Sequence, residues 1–197
     1  KWLLSFNASK CKVLHLGKKR STHNYVLEDT TLESTTEEKD LGVTIDNDLT
    51  FTDHIDNMVK KANRVMGIIR RSFRYLDNKT FLMLYKGLVR PHLEYAVQVW
   101  SPFRKRDIRK LESVQRRATK QINTLKEEEY SSRLTALNLP TLLYRRMRGD
   151  MIATFKILTG IDDPAVCDFL PLHADERPES VTRGHPLKLF KRRTKHQ

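Results

Sequence analysis

The sequence predicts an α+β fold: a small antiparallel β patch, then a mainly α-helical bundle, then an irregular basic tail. Three observations carry this. Short alternating runs bounded by turn residues fill the chain up to residue 48. Apolar residues then recur at helical spacing from residue 49 to residue 160. From residue 161 the periodicity decays, and Pro164, Pro171, Pro178 and Pro186 are spread through the remainder of the chain. The expected segments are therefore 1–48, 49–160 and 161–197.

In chain order, KWLLSFN reads as the last turn of a helix, with Asn7 near its end. Cys11, Val13 and His15 alternate with Lys12, Leu14 and Leu16 as a short strand ending at Gly17. Lys18–Asn24 is a polar loop. Tyr25-Val26-Leu27 and Thr31-Leu32-Glu33 frame Glu28-Asp29-Thr30 as a small hairpin of open turn type. Lys39–Asp46 reads as the clearest strand, with Val43 and Ile45 on one face and a turn at Asn47-Asp48. Residues 10–46 are thus expected to form a three-stranded antiparallel patch, too small to stand alone.

Thr52 is a candidate N-cap for the next helix, with Asp53 placed for its dipole. Ile55, Met58, Val59, Ala62, Met66, Ile69 and Phe73 form its apolar arc. Asp77 caps a helix carrying Phe81, Leu84, Tyr85, Leu88 and Val89. Pro91 predicts a kink or break there, and Leu93, Ala96, Val99 and Trp100 form a further apolar set.

The helix after Trp100-Ser101-Pro102 is the most informative. On a wheel of about 100° per residue, Ile108, Leu111, Val114, Ala118 and Ile122 share one arc. Lys105, Arg106, Arg109, Lys110, Arg116, Arg117 and Lys120 lie opposite. Arg104–Lys120 holds eight Lys or Arg against two acids, a balance of +6 within a chain total of +13. Like charges at i, i+4 weaken a helix, so a polyanion partner is the functional reading. The alternative is a solvated face that happens to be basic.

Beyond it, a short helix with Leu134, Leu137 and Leu139 is expected, opened by the acidic run Glu127–Glu129. Pro140 suits the start of the next helix, whose looser stripe is Leu143, Met147, Ile152, Phe155 and Leu158. Arg145, Arg146 and Arg148 add a second cationic cluster, and Gly160 is a candidate C′ stop. Lys188, Lys191, Arg192, Arg193 and Lys195 read as a nuclear-import signal, a phosphate contact or simply a charged end.

LYKGLVRPHLEYAVQVWSP followed by DIRKLESVQRRATK resembles the region downstream of the polymerase palm in non-LTR retrotransposon (LINE-type, jockey-like) reverse transcriptases. FNASKCKVLHLG, KDLGVTIDNDLTF, YSSRL, RRMRGDMI and TRGH resemble the same family, so the likeness runs through most of the chain. It implies a thumb-like region and its approaches, which hold a template–primer duplex. It also implies a primer-grip role for the strand at Lys12 and His15. The implied partners are an RNA–DNA or DNA duplex, met through its phosphates, and the palm and fingers of a parent polymerase. The parent would need Mg²⁺; this stretch is expected to need no cofactor.

Polymerisation requires carboxylates holding two divalent metals, in this family an aromatic-x-Asp-Asp turn between strands. The one adjacent pair, Asp162-Asp163, stands between Ile161 and Pro164 without strand alternation and reads as a helix-exit turn. No catalytic or metal-binding residue is therefore assigned, and activity of this piece alone is not expected. No zinc spacing, nucleophile elbow or Gly-rich phosphate loop occurs. The pI of about 9.9 fits a polyanion partner. Cys11 and Cys167 form no disulfide framework, and no apolar run is long enough for a membrane. A nuclear or cytoplasmic setting is expected. The chain opens on Lys1 rather than Met, which suggests a piece of a longer protein. The competing function is a non-catalytic helical scaffold binding an acidic protein.

Overall fold

The computed structural model describes residues 6–17, 23–162, 170–173, 185 and 187–191. The chain divides into two compact units, Lys1–Tyr144 and Arg145–Gln197. The fold is α+β, as the periodicities predict.

The first unit opens with strands β1 (Lys12–Leu14), β2 (Val26–Leu27), β3 (Thr30–Thr31), β4 (Glu33–Thr35), β5 (Glu37–Asp40) and β6 (Val43–Asp46). They form pairs rather than one three-stranded patch. β2–β3 and β5–β6 are antiparallel hairpins, and β1 runs parallel to β4. Both hairpins close through two left-handed residues, Glu28-Asp29 and Leu41-Gly42. That is the requirement of a type I′ turn. The run read as one strand at Lys39–Asp46 is therefore the tip of a hairpin. Gly42 takes φ +88°, and a Cβ there would stand 3.5 Å from the Tyr95 ring. Tyr95 reaches the same tip by donating its hydroxyl to Leu41 O at 2.9 Å. Asn7 caps a 3-10 turn, Ala8–Lys10, by accepting from Ser9 N–H; residues 1–5 of the helix turn expected before it lie outside the described residues.

Asp46 ties the sheet to the first helix. Its carboxylate accepts from the N–H groups of Asp48, Thr50 and Phe51. Burial works against its charged form, but the Thr50 and Phe51 bonds outweigh this and hold the carboxyl below its ordinary range. Helix α1 (Thr52–Ser72) begins one residue earlier than expected, so Thr52 is its first residue and left-handed Phe51 precedes it. Ile55, Met58, Ala62, Met66 and Ile69 are buried as predicted, while Phe73 sits just past the end, partly exposed. α1 is the hub of the unit, packing on β6 and on the helices that follow.

Asp77 caps α2 (Asn78–Leu84) through the N–H groups of Lys79 and Thr80. A π turn at Tyr85–Val89 follows, then α3 (Arg90–Glu94) and α4 (Val97–Trp100). Phe81, Tyr85, Val89 and Leu93 are buried at strict spacings of four. On a regular helix each such step would drift by about 40°. The wider π turn absorbs the drift, with Arg90 N–H bonding Tyr85 O. This rotates Leu88 outward, and in α4 Val97 is buried and Val99 exposed, against the arc read from sequence. Pro91 is tolerated in the first turn of α3, so the break falls later, at Tyr95 and left-handed Ala96. Trp100 is buried, donates Nε1–H to Tyr95 O at 2.7 Å, and meets the His54 ring edge-on at 5.2 Å.

Then come α5 (Lys105–Thr119), α6 (Tyr130–Ala136) and α7 (Leu142–Leu158), the unit boundary falling in the first turn of α7. Leu111, Val114, Ala118, Ile122, Leu137, Leu139 and Leu142 complete the core. Each large side chain so buried contributes about 1.5–3 kcal/mol before the entropy of ordering it.

In the second unit, Gly160 (φ +69°) stops α7 as predicted, with Ile161 N–H bonding Lys156 O at 2.9 Å. The stripe expected to be buried is open: Met147, Ile152 and Phe155 are exposed, as is Leu143 in the first unit. His173 and Phe190 flank an antiparallel bridge between Leu172 and Leu189. The loop residues 18–22, Asp163, and the tail cations Arg192, Arg193 and Lys195 lie outside the described residues.

Candidate nucleic-acid interface

Helix α5 carries the densest charge, and its orientation is fixed by what it buries. Leu111, Val114 and Ala118 face the core of the first unit. Gln115 lies fully buried among them and anchors a polar network. It accepts from Tyr85 Oη at 2.7 Å and donates to Tyr130 Oη at 3.1 Å and Pro140 O at 3.0 Å. Tyr130 in turn donates to Glu112, whose other oxygen accepts from Leu142 N–H at 3.0 Å. Burial pushes both tyrosines well above the ordinary phenol range, and Glu112 adds to this at Tyr130. The network clamps α5 between the π turn, α6 and the start of α7, which fixes the direction of its outer face.

The end of α5 is held by Arg133, only 2% exposed. No carboxylate among the described residues pairs with it. Its Nε donates to Thr119 Oγ1 at 2.9 Å and its Nη atoms to Glu128 O and Arg116 O. A cation placed on C-terminal carbonyls satisfies orphan acceptors and opposes the dipole. Nothing in the local pattern of YSSRL marks this arginine as buried, because its partners are the Thr119 hydroxyl and two backbone oxygens.

α1 and α5 pack side by side and run in the same direction. Thr52 meets Arg104 and Arg106 at one end, and Asp56 meets Lys110 a turn further on. The expected cationic face divides along this contact. Lys110 Nζ lies 2.6 Å from Asp56 Oδ1 and 3.6 Å from Asp107 Oδ1. The Asp56 bond holds its ammonium above the ordinary value. Arg106 Nε lies 3.5 Å from Asp107, a carboxylate 1% exposed. Arg106 and Lys110 thus serve a buried acid. Lys105, Arg109, Arg116, Arg117 and Lys120 are exposed, and none has a carboxylate partner among the described residues. Arg116 spreads over the Tyr130 ring at 4.7 Å, and Arg117 Nε donates to Ser113 O.

The other expected contacts fall elsewhere. Lys12 pairs with Glu38 at 3.6 Å on β1 and β5, an exposed pair of small energetic weight. Arg145 is half-buried, and Arg146 is 3% exposed, so its charge is withdrawn from solvent.

Sequence periodicity missed a hollow beside α5. Asn63, Met66, Gly67 and Arg70 of α1 face Val114, Arg117, Ala118 and Gln121 across it. Both sets follow i, i+3, i+4, i+7. The hollow measures about 770 Å³, and a Cβ built on Gly67 would meet nothing within 4 Å. Its rim carries Arg70, Arg74, Arg117, Lys120 and Lys126, and no lining residue is acidic. Among the described residues no His, Cys, Asp or Glu side chains gather as a metal-binding group, and no helix is long and apolar enough to cross a membrane.

Fold and site together define a basic, helix-rich α+β region with a cationic edge that no carboxylate among the described residues compensates. Over 131 residues the chain is 31% identical to the RNA-directed DNA polymerase from mobile element jockey of Drosophila funebris, covering 62% of this chain and 14% of that protein. It is 27% identical over 128 residues to a probable RNA-directed DNA polymerase from transposon X-element of Drosophila melanogaster, with the same coverage. An uncharacterised protein of Caenorhabditis elegans is 28% identical over 125 residues, covering 61% of this chain and 63% of that one. No family model and no solved structure matches the chain. The chain is a region related to the RNA-directed DNA polymerases of non-LTR retrotransposons, as its motifs imply, and spans about a seventh of the two polymerases it matches.

Proposed function

We propose that this chain is the thumb-side part of a retrotransposon RNA-directed DNA polymerase and that α5 grips the template–primer duplex by its phosphates. The observation that carries the reading is the open edge of Arg109, Arg116, Arg117 and Lys120, cations without carboxylate partners among the described residues, on a helix clamped from behind. Such cations neutralise backbone phosphates without reading bases. The helix is about 22 Å long at 1.5 Å per residue, enough to follow several phosphates. The palm and fingers of the parent polymerase are its partners, and the Mg²⁺ that supports nucleotide transfer belongs to that palm.

The test is a filter-binding salt titration with a DNA duplex and an RNA–DNA duplex. About five phosphate contacts give a slope of log K against log salt near −3.5 to −4.5. Reversing Arg109, Arg116 and Arg117 to Glu weakens binding to all sequences alike. Equal affinity of wild type and this variant removes the reading. Tight binding of an acidic protein without duplex affinity would put the scaffold function in its place.

A further inference from the structure

We infer that the hollow between α1 and α5 is a site for single-stranded nucleic acid, with a base against Phe73 and the flanking phosphates on Arg70, Arg74 and Lys126. The inference rests on the reading that the cationic side of α5 meets nucleic acid, and extends it from the outer face to the hollow beside it.

Charge is the first argument. Both helices end at this place, and helix C-termini attract cations. Two such ends amount to about one negative charge between them. Five cations stand on the rim with no acid among the lining residues, far more than the two dipoles balance. The excess calls for an anion from outside.

Shape and floor are the second. Gly67 and Ala118 sit at matching places in the two facing stripes, and their small size leaves the surface concave. The floor is apolar, formed by Met66, Leu76, Val114 and Ala118, and Phe73 adds a ring that is 40% exposed. The hollow is an open cleft whose volume falls within the range of small-ligand sites. A duplex keeps its bases stacked inside and offers phosphates to convex faces. An unpaired strand can turn a base inward while its backbone follows the rim, and aromatic platforms inside basic grooves suit it. Gln121 also lines the hollow.

The test uses the whole chain, a short fluorescein-labelled oligo(dT), and a blunt DNA duplex of equal length, read by fluorescence anisotropy. Phe73→Ala removes the platform. Gly67→Leu fills the hollow while keeping every charge and improving helix propensity. Both are expected to lower oligo(dT) affinity at least about five-fold and to leave duplex affinity unchanged. Arg74→Gln with Lys126→Gln is expected to reduce the oligo(dT) salt slope by about 1.4. Unchanged oligo(dT) affinity in Phe73→Ala and Gly67→Leu overturns the proposal. So does an equal loss for oligo(dT) and duplex, which would make the hollow an extension of the phosphate-gripping face. The two readings fail separately. Oligo(dT) binding sensitive to Phe73, in a wild type that ignores duplex, would remove the duplex grip and leave this site standing.

Discussion

The two ends of α5 carry similar charge and use it differently. At the N-terminal end, Arg106 and Lys110 turn toward Asp56 and the buried Asp107, and Arg104 and Arg106 reach Thr52 at the start of α1. At the C-terminal end, Arg117 and Lys120 join Arg70, Arg74 and Lys126 around a hollow lined by no acid. The first end uses its cations to hold two helices together. The second leaves them without an acid among the residues that line the hollow. A count of Lys and Arg along a helix therefore says little about what is on offer until the acids facing it are known.

Charge reversal along the open edge of α5 gives the largest expected effect. Replacing Arg109, Arg116 and Arg117 by Glu lowers duplex affinity at physiological salt by roughly 100-fold or more, since each lost phosphate contact is worth about five-fold there. A fluorescence binding isotherm checks it, and a loss under ten-fold would place the contact elsewhere.

Stability should respond in the opposite sense. Lys110→Ala leaves Asp107 buried with only Arg106 beside it. A fully buried pair broken this way costs about 3–5 kcal/mol; Lys110 is more than a third exposed, and solvent screening brings the expectation to about 1–2 kcal/mol. Arg117→Ala, at an exposed site, stays within about 0.5 kcal/mol. Urea denaturation of the two variants measures the contrast, and equal midpoints would erase it.

The same contrast predicts where acid acts. His54, beside Trp100 at the N-terminal end of the α1–α5 pair, is buried and accepts from Thr44 N–H at 3.2 Å. Burial, then Lys61 and Lys39, lower its pKa below the ordinary 6.5. The unfolded chain thus binds a proton that the folded chain refuses, so this stability is present above about pH 6.5 and is lost as pH falls toward the folded value. Thermal melts across that window should show a declining midpoint, and His54→Leu should flatten it. A small effect of opposite sign is expected at the hollow. Gly67→Ala adds a methyl that meets nothing and should stabilise α1 by about 0.5–1 kcal/mol, a rise in Tm of a few degrees.

Much of this molecule was legible from periodicity. Leu111, Val114, Ala118 and Ile122 are buried where the wheel puts them, Asp77 caps its helix and Gly160 ends another. What escaped depends on partners far along the chain. Lys110 finds Asp56 across 54 positions, and no local pattern announces that pairing. Arg133 is buried because a threonine hydroxyl and two backbone oxygens satisfy it, which composition cannot reveal. The π turn was hidden because spacings of four and a mixture of three and four look alike in a short run. The β5–β6 turn was missed because Leu41-Gly42 interrupts an alternation that resumes at Val43. The hollow is the product of two stripes meeting, and a single helix wheel shows only one of them.

The division of α5 is tested most directly by the salt dependence of duplex binding in two single variants that each remove one charge, Lys110→Gln and Arg117→Gln. The account predicts an unchanged slope of log K against log salt for Lys110→Gln and a slope shallower by about 0.9 for Arg117→Gln. Equal slopes in the two variants, or a shallower slope for Lys110→Gln alone, would contradict it.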